Sequence, residues 1–176
     1  MTERSEAGGG SAHALLVCDF VNTFDVQCDI DDFGAPSDLG AWLAERGLLA
    51  PGARADETDL GTAVALREGL RAAMLGQETG SGLEGLLAGL PLRLSLGGPA
   101  LVPLYGGVRG ALTRVAAAVV ASTADGSWTR LKVCRATTCR WAFLDTSKNR
   151  SRVWCSMRMC GNRTKTRTYR ARLREG

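Results

Sequence analysis

The chain has 176 residues, 45% of them hydrophobic, which is enough for one compact domain with a core and a small additional module. Its net charge of +4 conceals a split, because residues 1–127 carry 8 Lys or Arg and 16 Asp or Glu, whereas residues 128–176 carry 14 and 2. No run of about twenty apolar residues and no basic leader followed by an apolar stretch is present, so we expect a cytoplasmic protein without a membrane partner.

The opposite charges of the two segments predict two functional units. The basic unit should attract polyanions, and nucleic acid is the partner that such a charge most directly suits. The alternative is that the basic residues serve only solubility.

The first predicted elements are a disordered tail over residues 1–14 and a buried segment over residues 15–24. The segment LLVCDFVNTF is apolar except for one acid and one amide, and its length fits either a helix or a strand. Cys18 is predicted to be a core residue. Asp19 and Asn22 have two interpretations: a buried hydrogen-bond network or helix cap, and a ligand-binding site.

Two amphipathic helices are predicted next. Ser37 or Asp38 can cap the first, which Gly47 ends. Thr58 can cap the second, longer helix. Its apolar side chains recur at spacings of three and four, as a buried helical face requires, at Ala63, Leu66, Leu70 and Met74.

The remainder of the acidic segment predicts a short helix, a hairpin and a further helix. Residues 83–90 are rich in leucine, and residues 92–104 alternate around a Gly-Gly-Pro break, which predicts a small β-hairpin. Apolar residues from Val108 to Val120 predict a helix that closes near Asp125. Residues 15–126 are therefore predicted to form one mostly helical domain.

Four cysteines dominate the basic segment of residues 128–176. Cys134 and Cys139 are separated by four residues, Cys155 and Cys160 by four, and the pairs by fifteen. Two close pairs can each supply half of a tetrahedron, which predicts one structural zinc ion with no open position for substrate. Three disulfides from the six cysteines are the alternative, which a reducing cytosol disfavours.

Around the cysteines, alternation predicts a strand through Leu131 and Val133 and a second strand at residues 141–144. A basic helix is predicted after Cys160. At 100° per residue, four arginines fall within about 60° of one another along a stripe of about 16 Å; they are Arg163, Arg167, Arg170 and Arg174. Tyr169 and Leu173 fall on a flank that we expect to face the zinc module.

The second cysteine pair lies in the run CSMRMCGNR (155–163), with Lys165 after it. This run closely resembles the CGNR zinc-finger family, as do the first pair and the intervening residues Phe143, Asp145, Ser147, Arg152 and Trp154. Proteins of that family usually carry an N-terminal domain called ABATE, and the segment Asp19-Phe20-Val21-Asn22-Thr23 resembles its DFVNT motif. The resemblance implies a mainly α (α+β) fold: a helical ABATE-like domain over residues 15–126, which contains a small hairpin, and a four-cysteine finger with a basic helix over residues 128–176.

The resemblance also implies a stress-induced bacterial transcription regulator that holds one Zn²⁺ and binds duplex DNA. The predicted metal ligands are Cys134, Cys139, Cys155 and Cys160. The predicted nucleic-acid contacts are Lys148, Arg150, Arg152, Arg158, Arg163, Lys165, Arg167, Arg170 and Arg174. The N-terminal domain would bind a small-molecule or protein effector, with Asp19 and Asn22 as candidate ligand contacts.

Three other functions are weighed against this one. Zinc knuckles, arginines and tryptophans also suit an RNA-binding protein. The basic helix could instead dock on an acidic surface, either in a protein-interaction adaptor or on this chain's own N-terminal domain. An enzyme is not expected, because the only histidine, His13, lies in the predicted tail and no Ser/His or Cys/His pairing is evident.

Overall fold

The computed structural model describes residues 9–77, 80–97 and 100–175. Within these ranges the chain forms six α-helices and three two-stranded antiparallel sheets. In chain order they are α1 (Gly9–Val21), β1 (Phe24–Asp25), β2 (Ile30–Asp31), α2 (Pro36–Glu45), α3 (Glu57–Met74), α4 (Gly80–Ala88), β3 (Leu92–Ser95), β4 (Ala100–Pro103), α5 (Gly107–Ala124), β5 (Leu131–Val133), β6 (Ala142–Leu144) and α6 (Asn162–Glu175). A 3₁₀ turn (Ser127–Arg130) precedes β5, and a π-helical turn (Met157–Gly161) precedes α6. The predicted fold class, mainly helical with small hairpins and a C-terminal four-cysteine module, is confirmed.

The segment whose conformation the sequence left open is helical. Helix α1 begins at Gly9, inside the predicted tail of residues 1–14, of which residues 1–8 lie outside the described part of the chain. Cys18 is buried on α1, and burial together with the charge of Asp19 raises the pKa of its thiol to about 12. This cysteine is therefore a core residue, as predicted, and stays protonated.

The helix starts were predicted less well than the helices. The N-cap of α2 is Ala35, not Ser37 or Asp38, because Pro36 occupies the first helical turn, where its missing N–H costs nothing. The N-cap of α3 is Asp56 rather than Thr58. Its carboxylate accepts a hydrogen bond of 2.8 Å from the Asp59 N–H, and the Asp59 carboxylate accepts one of 3.2 Å from the Asp56 N–H.

The main core lies where α1 packs against α5 and α3. Three aromatic rings, of Phe20, Phe33 and Trp42, meet there with centroids 5.6–5.9 Å apart. Arg67 is only 2% exposed, and its two terminal nitrogens donate to both oxygens of Asp31 at 2.6 and 2.8 Å. This ion pair fixes the loop after α1 onto α3.

The core continues across the predicted domain boundary. Leu131 on β5 and Ala142 on β6 are buried in the same cluster as α1 and α5. The hairpin β5–β6 therefore packs on the N-terminal helices, whereas a separate, smaller buried cluster surrounds the cysteines and consists of Cys134, Ala136, Cys139, Phe143 and Cys160. None of the helices in the described part of the chain is both long and apolar enough to cross a membrane.

Candidate metal centre

The four predicted cysteine ligands converge on one point. Their sulfur atoms all lie within 4.8 Å of one another. Cys134, Cys139 and Cys160 are buried, and Cys155 is half-buried. Two separations are 3.6 Å, between Cys139 and Cys155, and 3.8 Å, between Cys155 and Cys160. A tetrahedral Zn²⁺ with bonds of about 2.3 Å would require sulfurs about 3.8 Å apart. The donor set and its spacing therefore fit one structural zinc ion.

Two tight turns hold the cysteines in place. The first follows β5: the Cys134 N–H donates to the Trp141 carbonyl at 2.9 Å, and the Cys139 N–H donates to the Ala136 carbonyl at 2.9 Å. The second begins at Ser156, whose hydroxyl caps the turn by accepting from the Met159 N–H at 3.3 Å. The Cys160 N–H closes that turn on the Ser156 carbonyl at 2.9 Å. Each turn thus supplies two sulfurs.

The pKa values of three of these thiols are shifted by their surroundings. Burial raises the pKa of Cys139 to about 11 and also raises that of Cys155. Burial opposes ionisation of Cys134 too, but hydrogen bonds from the backbone of Cys155 and Ala136 outweigh it, so its pKa is lowered. Four adjacent thiolates repel one another, and a divalent cation offsets that repulsion.

Asp145 organises the loop that joins the two turns. The carboxylate is fully buried and accepts hydrogen bonds from Lys132 Nζ at 2.6 Å, from the Ser147 hydroxyl and N–H, and from the Arg152 N–H at 3.0 Å. Burial favours the neutral acid, but these donors, Lys132 first, hold the pKa of Asp145 well below its usual range. Asp145 is the only acidic residue between Trp128 and Arg174. The exposed charges of this segment are therefore all positive.

Most of the predicted nucleic-acid contacts are on that surface. Exposed side chains belong to Lys148, Arg150, Arg158, Arg163, Lys165, Arg167 and Arg170. Arg152 is half-buried: its guanidinium donates to the Cys155 carbonyl at 2.6 Å and lies 4.9 Å from the centroid of the Phe143 ring. The side chain of Arg174 lies outside the described part of the chain.

A cleft between the first cysteine turn and α6 brings together residues that the sequence did not connect. It has a volume of about 110 Å³ and is lined by Arg135, Ala136, Thr137, Thr138, Arg163, Thr164 and Arg167. Arg163 and Arg167 belong to the predicted arginine stripe, whereas Arg135, Thr137 and Thr138 were not predicted. Their position between two zinc ligands was the only sequence signal that could have identified them.

Helix α6 does not pack as expected. Tyr169 and Leu173 were predicted to face the zinc module, but they are 64% and 65% exposed. The helix packs mainly on the π-helical turn before it, so it projects from the rest of the finger. Gly161 is the last residue of this turn, and a Cβ there would lie 2.4 Å from the Met157 sulfur.

Asp19 and Asn22 have different surroundings. Asp19 is exposed on α1. The Asn22 side chain donates to the Ala142 carbonyl at 2.9 Å and accepts from the Ala142 N–H at 2.7 Å. Asn22 therefore pairs with β6 as a neighbouring strand would, which corresponds to the hydrogen-bond interpretation of this residue.

Comparison with known proteins agrees with the geometry of the finger. Residues 130–173 match the CGNR zinc finger family, and this range includes all four cysteines and the cleft beside them. A search of the curated proteins gave no match to this chain. The site and the family match together identify a zinc-binding protein with one structural ion. The ABATE resemblance of residues 15–126 is outside the matched range and stays a prediction.

Proposed function

We propose that this protein binds duplex DNA through its zinc finger and regulates transcription, with an ABATE-like N-terminal domain as the regulatory part. The zinc ion has a structural role in this function. It holds the first cysteine turn and the start of α6 together, so that the side chains of both present a fixed surface.

The cleft beside the first cysteine turn is the observation that carries the proposal. Three arginines and three threonines line about 110 Å³, and no acidic side chain is among the lining residues. Guanidinium groups bind phosphate through paired, charge-assisted hydrogen bonds, and hydroxyls add further donors. A space of this size with these donors suits one phosphate of a nucleic-acid backbone.

The position of α6 would let it follow a nucleic-acid backbone bound at the cleft. The helix projects from the finger and displays exposed basic residues along its length. A phosphate held at Arg135, Arg163 and Arg167 would place the backbone beside the first turns of α6. The following part of the helix would then lie along a groove, where Arg170 could contact base edges or the opposite backbone.

A contact between the finger and the N-terminal domain supports a regulatory role for that domain. Arg163 donates a hydrogen bond of 3.1 Å to the side chain of Gln27, in the loop between β1 and β2. Among the described residues, the salt bridges do not involve α6, which favours a basic face open to a polyanion over one docked on an acidic surface. An effector that moves the β1–β2 loop would act directly on a residue of the phosphate cleft.

The test is DNA binding by the zinc-loaded chain and by the variant Arg135→Ala/Arg167→Ala, measured by fluorescence anisotropy over a range of salt concentrations. Arg163 is left in place because it also bonds Gln27. If both arginines grip one phosphate, the variant should bind more weakly and lose about one unit of the salt slope. Selection from a random duplex library should enrich a preferred site.

A matched control is Arg54→Ala/Arg114→Ala, which removes two exposed arginines that precede the finger and do not line its cleft. It changes the net charge equally, and we expect no change in the salt slope. Zinc content must be equal in all three proteins. Equal binding by both double variants, or no binding of duplex DNA by the zinc-loaded chain, would refute the proposal.

A further inference from the structure

A second cleft lies on the face of α6 next to the phosphate cleft, with Thr164 between the two. It has a volume of about 420 Å³ and is lined by Trp154, Thr164, Lys165, Tyr169 and Arg172. Its lining combines two aromatic rings with two cations and contains no carboxylate. This volume is within the range of small-ligand sites, roughly 300–1,000 Å³.

The two aromatic residues differ in how they are held. Trp154 is half-buried and packs against the cysteine cluster, so zinc binding fixes its ring. Tyr169 is 64% exposed and contributes little to the protein core. An aromatic ring left in water beside a second, fixed ring forms a surface on which a flat, apolar ring can stack.

The two cations flank the tyrosine on the helix. Lys165 is four residues before Tyr169 and Arg172 three residues after it, so all three side chains share one face of α6. Both cations are exposed. A ligand that places a flat ring between Trp154 and Tyr169 would therefore meet positive charge on either side, which suits a phosphate on each side of a nucleobase.

We propose that this cleft binds one unpaired base of a DNA strand, stacked on Trp154 and Tyr169, while Lys165 and Arg172 contact the flanking phosphates. The inference rests on the proposed binding of DNA and makes it more specific. The phosphate cleft at Arg135 and the stacking cleft lie on neighbouring faces of α6 and share Thr164. The preferred target would be a duplex with an extrahelical base rather than an uninterrupted duplex.

The test compares three labelled duplexes of one sequence with the full, zinc-loaded chain: one fully paired, one with a single unpaired adenine, and one with an abasic nucleotide at that bulge. We expect the adenine bulge to bind about tenfold more tightly than the paired duplex, since stacking on an aromatic side chain favours binding by this order. The abasic bulge should lose that gain, because it keeps the bend and the phosphates but has no ring to stack.

The key variant is Tyr169→Leu, which removes the ring and keeps an apolar side chain. Its preference for the adenine bulge should disappear, and its affinity for the paired duplex should stay unchanged. The matched control is Tyr105→Leu, the same replacement at the chain's other tyrosine, which is also exposed, at 48%. This control should retain the tenfold preference.

The outcomes separate the inference from the proposed function. Binding of the paired and bulged duplexes with equal affinity would overturn the inference and leave duplex binding intact. An equal loss of affinity for all three duplexes in Tyr169→Leu would also overturn it, because the tyrosine would then be a general groove contact. Failure to bind any of the duplexes would overturn both proposals.

Discussion

Asp145 is the residue on which the finger loop depends most. Its carboxylate is fully buried and accepts a hydrogen bond of 2.6 Å from Lys132 Nζ. The same ammonium group also donates hydrogen bonds to the carbonyls of Arg150 and Arg152. Removing one partner of a buried ion pair leaves the other charge unpaired, and this lowers the free energy of unfolding by several kcal/mol, on the order of 3 to 5. The bond network also sets the path of the chain from β6 to Cys155.

We expect Asp145→Asn to lower the free energy of unfolding of the finger by about 3 kcal/mol. The asparagine amide would direct N–H donors toward groups that are themselves donors, at Lys132 or at the Arg152 N–H. Chelator competition should show faster zinc release. Asp19→Asn removes the same charge from an exposed site on α1 and should change stability by about 0.5 kcal/mol or less. Equal stability of the two variants would show that the Asp145 network is dispensable.

Single residues were predictable from the sequence where their partners are close in the chain. The cysteine ligands were found because each pair is local, and two pairs at this spacing have few alternatives. Arg135 was missed because its role depends on where α6 lies against the first cysteine turn. Arg152 was assigned to nucleic acid by charge alone, whereas its guanidinium contacts the Cys155 carbonyl and the Phe143 ring.

At the scale of elements, the contact between α1 and β6 joins the two halves of the chain. Replacing Asn22 with alanine would leave the N–H and carbonyl of Ala142 without their partners, which are at 2.7 and 2.9 Å. We expect a loss of about 2 kcal/mol in the free energy of unfolding, measured by urea titration. Because the hairpin also carries Cys134 after β5, zinc release should accelerate.

The control for Asn22 is Gln27→Ala, which removes an exposed amide from the next loop and its single bond to Arg163. It should alter stability by no more than about 0.5 kcal/mol. If Asn22→Ala were as stable as this control, the α1–β6 contact would have no energetic role. In that case the ligand-binding interpretation of Asn22 would become the stronger one.

A second contact between elements, Asp31 with Arg67, predicts a dependence of stability on pH. The hydrogen bonds from Arg67 lower the pKa of Asp31 below its ordinary value of 3.8. A carboxyl whose pKa is lowered by folding contributes stability above that ordinary value, and this contribution is lost as the pH falls through the lowered folded value. Acid should therefore remove what the ion pair contributes at neutral pH.

We expect Asp31→Asn to be about 1 to 2 kcal/mol less stable than the parent at pH 7, a discounted value because a third of the Asp31 side chain is exposed. The difference should shrink below about pH 4. Thermal unfolding of both proteins between pH 7 and pH 3 would measure this difference in stability. Because both proteins contain the same finger, its own dependence on pH cancels in the comparison. Asp32→Asn, an exposed neighbour, controls for the lost charge. A difference that stayed constant with pH would contradict the ion-pair explanation.

Elements were predicted well from periodicity, and their ends and faces less well. The apolar stripe of α3 is buried as expected at Ala63, Leu66 and Leu70. The caps were wrong because several neighbouring residues can serve, and the choice depends on the preceding loop. The burial on α6 was wrong because its apolar residues Tyr169 and Leu173 were assumed to need a core, yet both are exposed.

For the whole molecule, composition and packing divide the chain differently. The charge changes sign near Trp128, which indicated two units. Packing instead places Leu131 and Ala142 in the main core and leaves the cysteine cluster as a separate, smaller one. The local composition indicates the charge of the surface, because charged residues are mostly exposed. The core depends on contacts between distant residues, which composition does not encode.

This shared core leads to a prediction about zinc removal. Because β5 and β6 connect the cysteine turns to the helix α1, loss of zinc should loosen α1 as well as the finger. Hydrogen exchange of the full chain, with zinc and after chelation, should show faster exchange over residues 131–144 and also over residues 14–21. The helix α4, which packs mainly on α3, serves as an internal control and should exchange at an unchanged rate. If exchange accelerated in the finger alone, the hairpin would not couple the two halves. Acceleration in α1 would mean instead that zinc occupancy and the state of the N-terminal domain are linked, so that an effector bound by the helices could change how firmly the finger holds its metal.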